Sequence, residues 1–134
     1  MHFLVICLIC AIAAMVIGMV WYSKPVFGKT WSELSGVDKD DKSGCFLIMI
    51  YSMLANMALA VTLYSVALWS NAYGLKSGFF MGVLIGFGIV MISMMMPYIW
   101  EKKSPRLFLI NAGHQVAVVV VMSSIITTML EWGL

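Results

Sequence analysis

Residues 74–88 read GLKSGFFMGVLIGFG, and glycine recurs every four residues from position 74 to position 86. On a helix this spacing places Gly74, Gly78, Gly82 and Gly86 along one stripe. A stripe without side chains lets another backbone approach closely, which is how helices associate where lipid supplies no hydrophobic drive. The stretch therefore predicts a helix-packing face. Its partner is either another helix of the same chain or the same helix of a second copy.

Most of this stretch lies in one of four segments without a charged residue, which are residues 3–22, 45–70, 77–100 and 107–130. Each has at least 20 residues, enough for a helix rising ~1.5 Å per residue to cross a ~30 Å hydrocarbon layer. The chain of 134 residues is 63% hydrophobic and 10% charged, which excludes a soluble domain. Four strands do not close a barrel, and open sheet edges are not tolerated in lipid. We predict an all-α membrane protein, a single domain over residues 1–134 with four transmembrane helices in a bundle.

Basic residues are distributed unevenly between the loops. The second connection carries only Lys76, whereas loops 23–44 and 101–106 carry Lys24, Lys29, Lys39, Lys42, Lys102, Lys103 and Arg106. Loops rich in lysine and arginine stay on the cytoplasmic side. The bias predicts that these two loops are cytoplasmic and that both termini lie outside.

The first loop contains signals for a short helix in the membrane interface. Ser23 is a candidate N-cap, Pro25 suits a first turn, and Gly36 suits a stop. An amphipathic interfacial helix is predicted, and an irregular loop is the alternative because so few turns are marginally stable. Aromatic rings and lysines near a span end anchor to the headgroups of membrane lipid. The expected anchors are Trp21, Tyr22, Lys24, Phe27, Lys29 and Trp31.

The run Gly18-Met19-Val20-Trp21-Tyr22-Ser23, followed by Phe27-Gly28-Lys29 and Trp31, resembles the signature of the bacterial membrane family called domain of unknown function 1761. The glycine-rich third span, the short basic loop with Pro105, and the run Asn111-Ala112-Gly113-His114 are also similar to that family. The resemblance implies a four-helix membrane protein whose activity is unassigned. It places the chain in a bacterial inner (cytoplasmic) membrane.

A polar group marks the start of the fourth span. Asn111, His114 and Gln115 lie within about a third of a turn of one another, and Asn56 lies near the middle of the second span. Polar side chains at such depth must face protein or water, so they form a candidate functional site. One interpretation is an ion or solute path gated by His114. The other is interhelical bonding, in which Asn111 and His114 bond to Asn56, Tyr51 or a free carbonyl.

The remaining motifs indicate packing rather than chemistry. Cys7 and Cys10 have C-x-x-C spacing but no charged neighbour to activate a thiol. We interpret the methionines of the third span as apolar side chains that fill gaps in the packing. Gly28-Lys29-Thr30 lacks the first glycine of a phosphate-binding loop. Every carboxylate lies outside the spans, and the net charge is only +2. We therefore expect no catalytic residues, no metal, no cofactor and no nucleic-acid partner.

The favoured function is an oligomeric channel or simple transporter for an ion or small solute, using the neutral polar face of the fourth helix. Four spans make too thin a bundle to enclose a wide pore, so conduction would require a homo-oligomer. The alternative is a non-conducting membrane scaffold or accessory subunit. In that case the same residues only pack helices, and the cytoplasmic face contacts lipid or a partner.

Overall fold

A computed structural model describes residues 2–38 and 40–133, so Lys39, one of the predicted loop cations, lies outside the described residues. The helices are α1 (His2–Trp21), α2 (Lys29–Ser35), α3 (Cys45–Trp69), α4 (Gly74–Ile85), α5 (Ile92–Trp100) and α6 (Pro105–Glu131). A π-helical turn, Lys24–Gly28, precedes α2, and a π-helical segment, Gly86–Met91, joins α4 to α5. No strand occurs among the described residues.

Four helices are long and apolar enough to cross a membrane, namely His2–Trp21, Cys45–Trp69, Gly74–Trp100 and Pro105–Glu131. They confirm the predicted all-α architecture. The third span, Gly74–Trp100, comprises α4, the π-helical segment and α5. The last two spans begin before the corresponding charge-free segments do, because Lys76 and Arg106 lie in terminal turns from which long side chains reach water.

Helix α6 is the centre of the bundle. It packs against α1 and α3 on one side and against the third span on the other, and α1 also packs against α3. The best-buried side chains include Cys10 of α1, Leu63 of α3, and Met122 and Ile126 of α6. Helix α3 joins this core only through its second half, because residues 45–51 are all exposed. Such an exposed apolar surface is expected of a helix that faces lipid.

The glycine stripe meets α6 of the same chain. A Cβ atom on Gly78 would lie 2.6 Å from the carbonyl oxygen of Ser123, and one on Gly82 would lie 2.6 Å from the Cα atom of Val120. A Cβ atom on Gly86, in the π-helical segment, would lie 3.2 Å from the side-chain Cγ1 atom of Val116. The backbones of α4 and α6 are therefore in direct contact, which any larger residue would prevent.

The chain after α1 folds into a short helix, as the sequence predicted. Ser23 does not cap it, because its hydroxyl donates to the carbonyl of Val20 at 2.6 Å. The π-helical turn closes instead with the Gly28 amide donating to the Ser23 carbonyl at 2.8 Å. Helix α2 ends at Gly36, whose φ of 72° is readily adopted by glycine. We call residues 22–35 the interfacial element.

The close α4–α6 contact predicts that adding one methyl group to a glycine of the stripe lowers the stability of the protein. We expect Gly82→Ala to lower the free energy of unfolding by about 1–3 kcal/mol, since its Cβ would meet α6 backbone. Gly88→Ala in the same span is the matched control, because nothing lies within 4 Å of its Cβ position. Thermal unfolding in detergent micelles measures both. Equal melting temperatures for the two variants would contradict the close packing.

Candidate functional site

The side-chain amide of Asn111, in the second turn of α6, joins four segments of the chain. Its Oδ1 accepts a hydrogen bond from the hydroxyl of Tyr22 at 2.8 Å and another from Nε1 of Trp31 at 3.0 Å. Its Nδ2 donates to the hydroxyl of Tyr98 at 2.7 Å. Tyr22 follows α1, Trp31 lies in α2, and Tyr98 lies in α5. We call these four residues the amide cage.

Aromatic rings surround the amide cage and support it. The rings of Tyr22 and Trp31 meet edge to face, with centroids 5.4 Å apart. Trp21 donates from Nε1 to the carbonyl of Ile110 at 3.0 Å, and its ring centroid lies 5.0 Å from that of Phe27. Aromatic pairs at such distances add to the energy of burial. The interfacial element is thus attached to α6 by two hydrogen bonds, from the Tyr22 phenol and the Trp31 indole, and Trp21 at the end of α1 adds a third.

His114 lies one turn after Asn111 and faces the same aromatic residues. Its ring centroid is 5.0 Å from that of Tyr22 and 6.1 Å from that of Trp21. The Nε2 atom is buried and forms no hydrogen bond with the described residues. It faces Gly18 of α1, where a Cβ atom would lie 3.4 Å away. The imidazole therefore fills space between α1 and α6 that the absence of a side chain at Gly18 leaves open.

The charged groups near the cage lie on its outer side. Lys24 forms an exposed ion pair with Asp40 at 3.4 Å. Lys103 pairs with Glu101, and its ammonium lies 5.6 Å from the ring centroid of Tyr98. The hydrogen bond to Glu101 raises the pKa of Lys103. No cluster of three or more metal-ligating side chains occurs in the part of the chain that the structure describes. The amide cage therefore consists of hydrogen bonds between neutral side chains.

A family model described as "Protein of unknown function (DUF1761)" matches residues 5–127 of this chain. The chain belongs to the DUF1761 family. The match confirms the resemblance drawn from the sequence, and it includes every residue of the amide cage. No curated protein and no solved structure matches the chain. The activity of this DUF1761 protein must therefore be argued from its own geometry.

The structure brings some predicted site residues together and leaves others apart. Asn111 and His114 join the residues expected as interface anchors at Trp21, Tyr22 and Trp31. Three of the five tryptophans are far more exposed, namely Trp69, Trp100 and Trp132 at 88%, 79% and 70%. The anchors Lys24, Phe27 and Lys29 are exposed.

Asn56 and Gln115 take no part in the amide cage. The amide of Asn56 lies 3.8 Å from the sulfur of Met15, a weak contact within the α1–α3 interface. Gln115 is half-buried on α6. Tyr51, considered as a partner for Asn111, is 66% exposed on α3. The four polar residues singled out in the sequence therefore do not form one continuous polar face.

Sequence reasoning missed Tyr98. It lies at the end of the third span, where a tyrosine is expected as an interface residue. The available signal was its position beside the basic loop, which brings the end of α5 close to the start of α6. Pairing Tyr98 with Asn111 required knowledge of the rotation of both helices, which the sequence does not supply.

The cage predicts opposite effects for two neighbouring polar residues. We expect Asn111→Leu to lower the free energy of unfolding by about 1–3 kcal/mol, because it removes the three hydrogen bonds that the amide makes to Tyr22, Trp31 and Tyr98. His114→Phe keeps the ring and removes an unpaired buried nitrogen, so its melting temperature should be equal to or above that of the wild type. If His114→Phe lowered the free energy of unfolding and Asn111→Leu left it unchanged, the stabilising role would belong to His114 and not to Asn111.

The Trp31–Asn111 bond predicts energetic coupling between α2 and α6. Trp31→Phe removes the indole donor while keeping an aromatic ring. We expect Trp31→Phe and Asn111→Leu to be non-additive, with an interaction energy of about 0.5–3 kcal/mol in a double-mutant cycle. Trp132→Phe, at an exposed tryptophan, should be additive with Asn111→Leu. Thermal unfolding of the wild type, the three single variants and the two double variants tests both statements.

Proposed function

We propose that this protein is a non-conducting membrane scaffold or accessory subunit that holds its interfacial element in a fixed position on the bundle. The observation that carries the proposal is the use of the Asn111 amide: its oxygen accepts two hydrogen bonds and its nitrogen donates one, all within the chain. A side chain engaged in this way is suited to positioning helices. It is poorly suited to exchanging partners with a passing ion.

The interfacial element offers a surface for a partner. Its outer side borders an open cleft of about 320 Å³ lined by both lysines and carboxylates, namely Lys24, Lys29, Glu33, Asp38 and Asp40, with Gly28 and Ser32. Mixed charges of this kind favour specific contacts with a polar protein surface or with lipid headgroups over bulk attraction to one sign. A rigid attachment lowers the entropic cost of such contacts, since the helix is already ordered before binding.

A second candidate is the oligomeric channel or simple transporter, with His114 and Gln115 of α6 lining a path that a second copy completes. The unpaired Nε2 atom of His114 favours it, because a buried polar atom without a partner is a common feature of functional positions. The half-buried side chain of Gln115 is also available to such a path. Conduction would require a homo-oligomer in which a second chain covers this region.

The two candidate functions predict different results in a flux measurement. Purified protein in liposomes carrying a K⁺ or proton gradient should give no flux above empty liposomes if it is a scaffold. The same preparation should unfold at a lower temperature when Asn111 is replaced by leucine. A flux that is present in the wild type and lost in His114→Ala would establish the transporter instead. His114→Phe serves as the control that keeps the packing.

We further propose that loops 23–44 and 101–106 face the cytoplasm of a bacterium and that both termini face outward from its inner membrane. The lysine and arginine content of these loops, against Lys76 alone in the second connection, supports this orientation. Single-cysteine reporters test it in a Cys45→Ser background, where Cys7 and Cys10 remain buried. A membrane-impermeant maleimide added to intact cells should label Ser70→Cys and spare Ser43→Cys. The opposite labelling pattern would invert the proposed topology.

A further inference from the structure

Two cavities that share Leu109 lie along α6, one beside the interfacial element and one beside the third span, and we call them together the groove. The groove begins in a cavity of about 380 Å³ bounded by Phe27, Thr30, Arg106, Leu109 and Ile110. Leu109 also lines the next cavity, of about 470 Å³, which lies between α6 and the third span. Its other lining residues are all apolar, namely Phe79, Val83, Phe87, Met91, Gly113, Val116, Ala117, Val120 and Val121. The groove therefore has a polar mouth and an apolar length.

The mouth of the groove carries an unpaired cation. Arg106 is exposed and forms no ion pair with the described residues, whereas its neighbour Lys103 pairs with Glu101, and Lys24 pairs with Asp40. A guanidinium presents two parallel N–H groups to a phosphate, and Thr30, a residue with a hydroxyl group, borders the same cavity. The mouth is thus suited to a phosphate group at the level where the fourth span begins.

The length of the groove fits one lipid chain. Leu109 and Val121 are twelve positions apart on α6, which corresponds to roughly 18 Å at about 1.5 Å per residue. Half of a hydrocarbon layer of ~30 Å is about 15 Å, which is the depth reached by an acyl chain from its own headgroup. Another apolar cavity, of about 540 Å³, continues from Phe79, Val120 and Val121 to Trp132. By its position that cavity belongs to the opposite leaflet.

We propose that this groove is a binding site for one anionic phospholipid. Its phosphate binds Arg106 and Thr30, and one acyl chain lies along Leu109, Ala117 and Val121 between α6 and the third span. Because Phe27 and Thr30 belong to the interfacial element, the bound lipid contacts both the element and the bundle. The site differs from general headgroup contact, in which any exposed lysine of the loops would serve equally.

Native mass spectrometry and thermal unfolding in detergent test the proposal, with phosphatidylglycerol as the anionic probe and phosphatidylcholine as the neutral one. We expect phosphatidylglycerol to bind at one site and to raise the melting temperature, and phosphatidylcholine to do neither. Arg106→Gln should weaken phosphatidylglycerol binding at least about tenfold, the loss expected for a charge-assisted contact. Lys102→Gln, which removes an equal charge from the same loop end, should leave that binding unchanged.

A second pair of variants tests the apolar part of the groove. Ala117→Phe fills the groove and should reduce lipid retention, whereas Ala58→Phe on the exposed surface of α3 should not. Equal binding of both lipids would contradict a specific site, and so would equal losses of phosphatidylglycerol binding in Arg106→Gln and Lys102→Gln. Either result would indicate non-specific headgroup attraction. If Ala117→Phe changed the oligomeric state and lipid had no effect, the groove would be a contact between copies of the chain, and the lipid proposal would be wrong. Neither result bears on flux, so the scaffold proposal is tested separately.

Discussion

The direct backbone contact between α4 and α6 is the constraint on which the rest of the bundle depends. At Gly78 and Gly82 the neighbouring helix lies where a Cβ atom would be, so the two helices approach as closely as their backbones permit. This contact orients α6, whose opposite side receives α1 and α3. It also determines which side of the first turns of α6 faces the end of α1. The position of Asn111, and with it the amide cage, follows from that orientation.

The amide cage illustrates how a polar side chain is accommodated in a protein of this composition. In a hydrocarbon environment an unpaired amide is costly, and water is not available to satisfy it. Asn111 avoids the cost by bonding to residues that each have one polar atom on an apolar ring: Tyr22, Trp31 and Tyr98. The same bonds hold α2 against the bundle. One set of contacts thus provides hydrogen-bond partners for the Asn111 amide and attaches the interfacial element to the bundle.

Composition and spacing were sufficient to predict the spans and the helix after the first span, and the family followed from the resemblance of particular sequence runs to a known family. These features are local: a charge-free run of twenty residues, an interface residue at its end, or a glycine at a turn act through their immediate surroundings. Ser23 shows the limit of such signals. It has the residue type of an N-cap, yet its hydroxyl bonds to Val20, because the chain enters α2 through a π-helical turn whose own backbone bond involves the Ser23 carbonyl. Local preference suggested a helix there, and competing local bonds decided how it begins.

The sequence by itself determined that the chain consists of four membrane-spanning helices with a glycine stripe on the third and polar side chains on the fourth. It left open whether the stripe meets a helix of the same chain and which groups satisfy Asn111. The tertiary structure decided both: the stripe lies against α6, and Asn111 bonds to Tyr22, Trp31 and Tyr98 while Asn56 lies elsewhere. The physical reason is that spacing specifies only which residues share a face of one helix. Which face meets which neighbour depends on the rotation of each helix, and that is set by packing across the whole bundle.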